Sequence, residues 1–250
     1  MPKIFLHGNP ESAALWGPLL AVLEAEGVED LQALSPPGFG SIRTSGFEAT
    51  QVGYRDWLIQ NLEALGGGVD LVGHDWGAGH LYGVLAERPD LIRSWAADCA
   101  GLIHRDYVWH PAAQIWQTPD LGEQSIVEML GVSYEKRCAT LMALGIPQAV
   151  AEPIARAQDE DMGRCILQLY RSASQPAMAE LGRRLEAGPR RPGLVILATE
   201  DPYAGNRSIN ESVAEMLGAG TLVLEGLGHW WMFDRCEAIA KALVRHWSNA

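Results

Sequence analysis

The sequence predicts an α/β protein: a mostly parallel sheet flanked by helices, with one long helical insertion. Three observations carry this. Short apolar runs alternate with helical patterns from residue 3 onward, as strands joined by crossover helices do. The alternation stops after Gly101 and resumes near residue 193. Between one apolar run and one helical run lies "VGHDWGAG" (72–79), the G-x-D-x-G pattern of a sharp strand-to-helix turn.

The elements follow in order. "KIFLH" (3–7) reads as the first strand, and "SAALWGPLLAVLEAEG" (12–27) as a helix with helically spaced apolar positions that stops at Gly27. "DLQAL" (30–34) is the second strand. "YRDWLIQNLEALGGG" (54–68) is a helix closing on three glycines, and "VDLVG" (69–73) is the third strand. "GAGHLYGVLAERP" (77–89) is the helix after the turn, followed by the strand "IRSWAAD" (92–98). Residues 103–192 read as helix and loop without a strand, and "AGPRRPG" (187–193) returns the chain to the sheet. "GLVILAT" (193–199) and "GTLVLEG" (220–226) are the last strands, and "CEAIAKALVRHW" (236–247) is the closing helix. The expected organisation is a core of 1–102 and 193–250 with a helical cap, 103–192. An insertion there sits over the strand carboxyl ends, where such sheets bind ligands.

Composition narrows the function classes. A chain of 250 residues buries a full core without disulfides. With 48% hydrophobic and 20% charged residues it reads as globular rather than disordered. A net charge of −12 argues against nucleic acid and anionic membranes as partners and favours small uncharged or cationic substrates. Cys99, Cys138, Cys165 and Cys236 have neither CxxC nor metal-ligand spacing and read as buried thiols. The opening "MPKIFLHGNP" has no signal-peptide pattern, and no apolar stretch approaches a membrane span, so a cytoplasmic location is expected. No repeat, phosphate loop or cofactor motif is visible. Neither cofactor nor metal is expected, and no feature sets an oligomeric state.

The chemistry gathers on three residues. Asp75 occupies the centre of the turn, where Gly73 and Gly77 let a strained backbone close. Asp201 follows the fifth strand in "ILATEDPYAG", and His229 follows the sixth in "LEGLGHWWMF". The order nucleophile, acid, histidine is that of a hydrolase triad. A carboxylate can displace a leaving group from an sp³ carbon, and water then cleaves the ester at its carbonyl. A serine in its place would leave an ether that histidine-activated water cannot open. Asp75 therefore points to carbon–halogen or epoxide opening, with His229 activating water and Asp201 holding its tautomer.

"HGNPESAALW" (7–16), "PPGFGSIRTS" (36–45) and the triad order together resemble an α/β-hydrolase of the epoxide hydrolase and haloalkane dehalogenase group, over nearly the whole chain. The resemblance implies the α/β-hydrolase fold with an inserted cap. Because the chain starts at the strand leading into "HG", it also implies that the first strands of a longer family sheet are missing. The backbone N–H groups of Trp76 and Asn9 would form the oxyanion site, and their side chains would hold a halide. Asp98 is a rival acid, at the place where one dehalogenase subfamily carries its glutamate; Asp201 is favoured. "LQLYRSASQP" (167–176) resembles the cap segment bearing a proton-donating tyrosine, here Tyr170. "AQIWQTPDLGEQ" (113–124) shows Ile115 and Trp116 where a second is expected, and Trp116 would line the cavity or supply a further N–H. Haloacetate dehalogenases carry arginines just after the nucleophile, and "DWGAGHLYG" has none, so a carboxylate substrate is not expected. His74 would support the turn. His80, His104, His110 and His246 show no metal pattern, Trp230 and Trp231 read as packing residues, and Glu200 as a solvated neighbour. Hydrolysis of a small uncharged haloalkane through an aspartyl ester leads. Epoxide hydrolysis with Tyr170 as proton donor comes next, and a non-catalytic ligand-binding role is third.

Overall fold

The computed structural model describes residues 1–250 and shows every expected apolar run as a strand. These are β1 (Lys3–Leu6), β2 (Leu31–Leu34), β3 (Val69–Gly73), β4 (Ile92–Ala97), β5 (Gly193–Ala198) and β6 (Gly220–Leu224). All pair in parallel, in the order β2-β1-β3-β4-β5-β6. β3 is buried along its whole length, as a central parallel strand must be, whereas edge strands β2 and β6 are largely half-exposed. Asp70 sits inside that buried strand, held by Arg93 Nη2 at 2.5 Å and Ser94 Oγ at 2.6 Å.

Side-chain alternation divides the core between the two faces of the sheet. Ile4, Leu6, Leu71 and Trp95 point to one face; Phe5, Val72 and Ala96 point to the other. Helices cover both. They are α1 (Gly17–Ala25), α2 (Gln51–Ala64), α3 (Trp76–Glu87), α4 (Pro111–Gln117), α5 (Leu121–Gly131), α6 (Tyr134–Ala143), α7 (Gln148–Ala157), α8 (Glu160–Ser172), α9 (Ala177–Ala187), α10 (Arg207–Leu217) and α11 (Cys236–Ser248). None is long and apolar enough to cross a membrane. All four cysteines are free thiols.

Three elements depart from the sequence reading. The first helix is preceded by a separate 3-10 turn, Ala13–Trp16, because Pro18 has no N–H with which to continue one α-helix back through it. α2 begins three residues earlier than expected, where the Thr50 hydroxyl accepts the Gly53 N–H as an N-cap. α10 was not among the expected helices. Asn206 caps its start, Gly218 in the left-handed region (φ 64°) ends it, and Asn210 anchors it by accepting the Gly101 N–H.

Between β4 and β5 the chain is helical throughout, from α4 to α9. α4, α5 and α8 pack on one another, α6 packs on α7, and α9 lies against α3. Register then assembles a site at one edge of the sheet. Leu6, Gly73 and Ala97 are paired neighbours at the ends of their strands, so the segments following β1, β3 and β4 emerge side by side. Ala198 pairs with Leu224, which brings the loops after β5 and β6 to the same edge.

Candidate active site

Asp75 joins β3 to α3 with φ 50° and ψ −120°, a strained conformation for a residue with a side chain. Close approach of β1 fixes the glycine that follows. A Cβ on Gly77 would lie 2.1 Å from the Leu6 carbonyl oxygen. A Cβ on Gly8 would lie 2.3 Å from Asp75 Oδ2. The Asp75 N–H donates to Asp98 Oδ1 at 2.8 Å, and the Asn9 N–H donates to Asp75 Oδ2 at 2.8 Å. Trp76 supplies the first N–H of α3, one of the amides a helix cannot bond internally. Burial raises the pKa of Asp75, while the adjacent His229 and His74 pull it back.

The later two members of the expected triad meet directly. His229 Nδ1 donates to Asp201 Oδ2 at 2.8 Å, and both residues are buried. The other oxygen of Asp201 accepts the N–H groups of Tyr203 (2.7 Å) and Ala204 (3.3 Å). Burial and the nearby His74 work to lower the pKa of His229, but Asp201 and Asp75 outweigh them and raise it. Burial likewise opposes ionisation of Asp201, and the His229 partner overcomes it and lowers the pKa. Asp98, the rival acid, does not bond His229. It accepts from His74 Nδ1 at 2.5 Å, Trp231 Nε1 at 2.6 Å and the Asp75 amide, and so anchors the turn.

Beside Asp75 and the His229–Asp201 pair lies a second buried chain of charged groups. His74 Nε2 is 3.4 Å from Glu11 Oε1, so the ring stands between two carboxylates. Burial disfavours its charge, yet Asp98 and Glu11 raise its pKa well above that of a free histidine. Its ring centroid is 4.5 Å from that of His229. Glu11 also accepts from Trp230 Nε1 (2.6 Å) and the Gly8 N–H (3.2 Å). Trp230 and Trp231 are therefore polar anchors as well as packing residues. Glu11, His74 and His229 present ligand atoms within 4.8 Å of one another, each residue already bonded within the protein: Glu11 to Trp230, His74 to Asp98 and His229 to Asp201.

This chain makes acid stability testable. Burial alone would raise the pKa of Glu11, but His74 and its neighbours bring it down from 4.5 to about 2. A depressed carboxylate stabilises the fold above its unfolded pKa and loses that contribution as pH falls through the folded one. Melting temperatures between pH 5 and 2 should therefore fall more steeply in the wild type than in Glu11→Gln. The differential contribution is about 3 kcal/mol. Parallel curves would refute the assignment.

Asp75 and His229 open onto a cavity of about 360 Å³ whose wall also includes Asn9, Tyr170 and Trp116. Tyr170 is buried, with its hydroxyl oxygen accepting from Asn9 Nδ2 at 3.4 Å. Burial and Asp75 push its pKa well up, while Asn9 and the Trp76 side chain pull the other way by hydrogen bonding. Trp116, half-buried, lies edge-on to Tyr170 with ring centroids 4.8 Å apart. His80 lies outside the cavity wall, stacked on Tyr54, and burial lowers its pKa to about 3. His104, His246 and Glu200 also lie outside it.

Four residues of this region went unassigned in the sequence reading: Glu11, His110, Tyr203 and Arg137. His110 had a local signal, since a residue before Pro111 at a helix start is an N-cap position. Its Nδ1 accepts the Ala113 N–H, and burial lowers its pKa to about 4. The neutral ring thus carries its proton on Nε2. Tyr203 packs edge-on to His229 at 4.9 Å.

The comparisons agree with this architecture. The model of the alpha/beta hydrolase family matches residues 4–242. A search of curated proteins gave no significant match. Among solved structures, Cfl2 from Burkholderia cenocepacia superposes with a TM-score of 0.78 at 21% identity, over 98% of this chain and 87% of that one. A loop variant of haloalkane dehalogenase DbeA from Bradyrhizobium elkanii gives 0.74 at 19% identity, over 99% and 90%. E-2-(acetamidomethylene)succinate hydrolase gives 0.73 at 18%, over 99% and 91%. At these identities the likeness speaks for the fold, and the family match for membership. The chain belongs to the alpha/beta hydrolase family.

Proposed function

We propose that the protein opens an epoxide to a diol through an ester on Asp75, with Tyr170 as proton donor and His229–Asp201 as the hydrolytic pair. The observation that carries this reading is the place of the Tyr170 hydroxyl. Asn9 Nδ2, one of the two donors expected to hold a halide, donates to the Tyr170 hydroxyl instead at 3.4 Å, and the Trp76 ring packs edge-on to Tyr170 with centroids 5.3 Å apart. With its oxygen already accepting, the phenol keeps its own proton for a leaving atom.

The steps follow from the hydrogen bonds. Oδ2 of Asp75 is engaged by the Asn9 N–H, so the unbonded Oδ1 attacks the sp³ carbon. The carbon–oxygen bond of the ring breaks, and the alkoxide takes the Tyr170 proton. In the second step His229 Nε2 removes a proton from water as it attacks the ester carbonyl carbon. Charge develops on Oδ2, facing the N–H groups of Asn9 and Trp76. The ester bond breaks, the second proton of the water passes from the new Asp75 carboxyl to the departing alkoxide, the proton on His229 returns to the phenolate, and the diol leaves with Asp75 again a carboxylate. Epoxide and water account for every atom. The helical segment 103–192 acts as a cap over the core of 1–102 and 193–250.

Carbon–halogen hydrolysis is the second reading, favoured by the presence of Asn9 and Trp76 side by side. Turnover of styrene oxide and of 1-bromobutane separates the two. With the epoxide reading, Tyr170→Phe should lower diol formation by roughly 10²–10⁴, the scale of general acid catalysis, and Asn9→Ala should be milder. Bromide release that survives Tyr170→Phe and is lost in Asn9→Ala would establish the halide reading. No reaction with either class would return the protein to the ligand-binding reading.

A further inference from the structure

We propose that Arg137 forms an anion-binding subsite in the cavity wall, so that the substrate is an amphipathic carboxylic acid whose carboxylate rests on Arg137 while its reacting carbon lies at Asp75. This rests on the reading above for the reacting end only. The sequence reading excluded a carboxylate because no arginine follows the nucleophile. Arg137 comes from α6 in the inserted segment, so it serves an acid group remote from the reacting carbon.

Arg137 is half-buried and lines the same cavity as Asp75. Its Nη1 donates to the carbonyls of Val132 (2.9 Å) and Leu130 (3.5 Å), which ties the guanidinium to the end of α5. The opposite edge is unspent. Nε is buried without an acceptor, and Nη2 makes no hydrogen bond. That Nε–Nη2 edge offers two parallel N–H donors, the geometry that matches a carboxylate. No Asp or Glu lies within salt-bridge distance, unlike the pairs made by Arg43, Arg88 and Arg171.

The surroundings specify the rest of the ligand. Met129, Val132, Leu141 and Leu144 line the wall around Arg137, and no lysine or second arginine joins it. One cation in an apolar wall suits a monoanion on a hydrocarbon chain better than a phosphate, which would call for further donors. A remote seat also separates the ligand's charge from the Asp75 carboxylate, which must itself stay ionised to attack.

Binding of unreactive probes tests the subsite without turnover. By calorimetry, octanoate should bind the wild type and octanamide should bind at least tenfold more weakly. Arg137→Met should weaken octanoate by tenfold or more and leave octanamide unchanged. Arg137→Lys, which keeps the charge and loses the fork, should fall between them. Octanamide binding as tightly as octanoate, or octanoate indifferent to both variants, would overturn the proposal. Melting temperature checks that each variant is folded, since the Val132 and Leu130 contacts are also lost. Failure of epoxide turnover with octanoate still bound through Arg137 would refute the chemistry and keep the subsite.

Discussion

Replacing His229 with glutamine should leave the first chemical step intact and stop the second, so that the protein becomes trapped as an ester on Asp75. The two steps use different groups. Attack requires the Asp75 carboxylate and a proton for the leaving oxygen, and neither comes from His229. Ester hydrolysis requires a base for water, and His229 is the buried imidazole beside Asp75, oriented by Asp201 at 2.8 Å. Removing a triad histidine costs on the order of 10⁶ in turnover where it has been measured. Mass spectrometry of the variant after brief exposure to an epoxide should show one substrate mass added per chain, located on the peptide that contains Asp75. An unmodified protein with equally depressed turnover would mean that water attacks the substrate directly, and the covalent reading would fall.

The second large effect separates the two acids. Asp201→Asn should lower turnover by about 10⁴, because the amide favours the wrong tautomer of His229, while the fold changes little. The pH profile supplies an independent readout. Water activation needs neutral His229, whose pKa is raised chiefly by Asp201 and Asp75 against burial and His74. Once Asp75 is esterified its charge is gone and Asp201 is the carboxylate left to favour protonated His229, so the rate of ester hydrolysis should climb with pH as His229 loses its proton, with a midpoint that moves down in Asp201→Asn. Asp98→Asn should behave otherwise. It breaks the buried His74–Asp98 pair, and removing one partner of such a pair costs about 3–5 kcal/mol of stability. Its signature is a lowered melting temperature with the pH midpoint retained in the folded fraction. A reversed pattern would make Asp98 the partner of His229 in the working enzyme.

Much of this was readable along the chain, and the reasons for the rest are physical. Strands announced themselves because a buried parallel strand is a continuous apolar run, and each of the six runs is a strand. The turn at Asp75 was legible because only glycine tolerates β1 so near. α10 has its end signals, Asn206 ahead and Gly218 behind, but Asn206 stands among the turn residues that follow Asp201 and reads there as one of them. Glu11 is a different matter. Its partners His74 and Trp230 are brought to it by the meeting of loops after β1, β3 and β6, and nothing local to "NPES" distinguishes a buried carboxylate from an exposed one. Arg137 was silent for the same reason: a half-buried arginine with one unspent edge looks, in sequence, like any arginine on an amphipathic helix.

The pairing of β4 with β5 has a consequence for how the protein is made. Asp98 to Pro192 lie between these neighbouring strands. Closing a chain of that length carries an entropic cost on the order of 4 kcal/mol, repaid only when the strands dock. The sheet is thus divided kinetically at its middle. β1 to β4, with the strained turn and the Asn9 amide, form from contacts among the first hundred residues. The loops holding Asp201 and His229 join only after the long segment has looped back, and high contact order makes that step slow. Asp75 and the His229–Asp201 pair belong to halves that meet late, so the arrangement that joins them is the last the folding chain acquires.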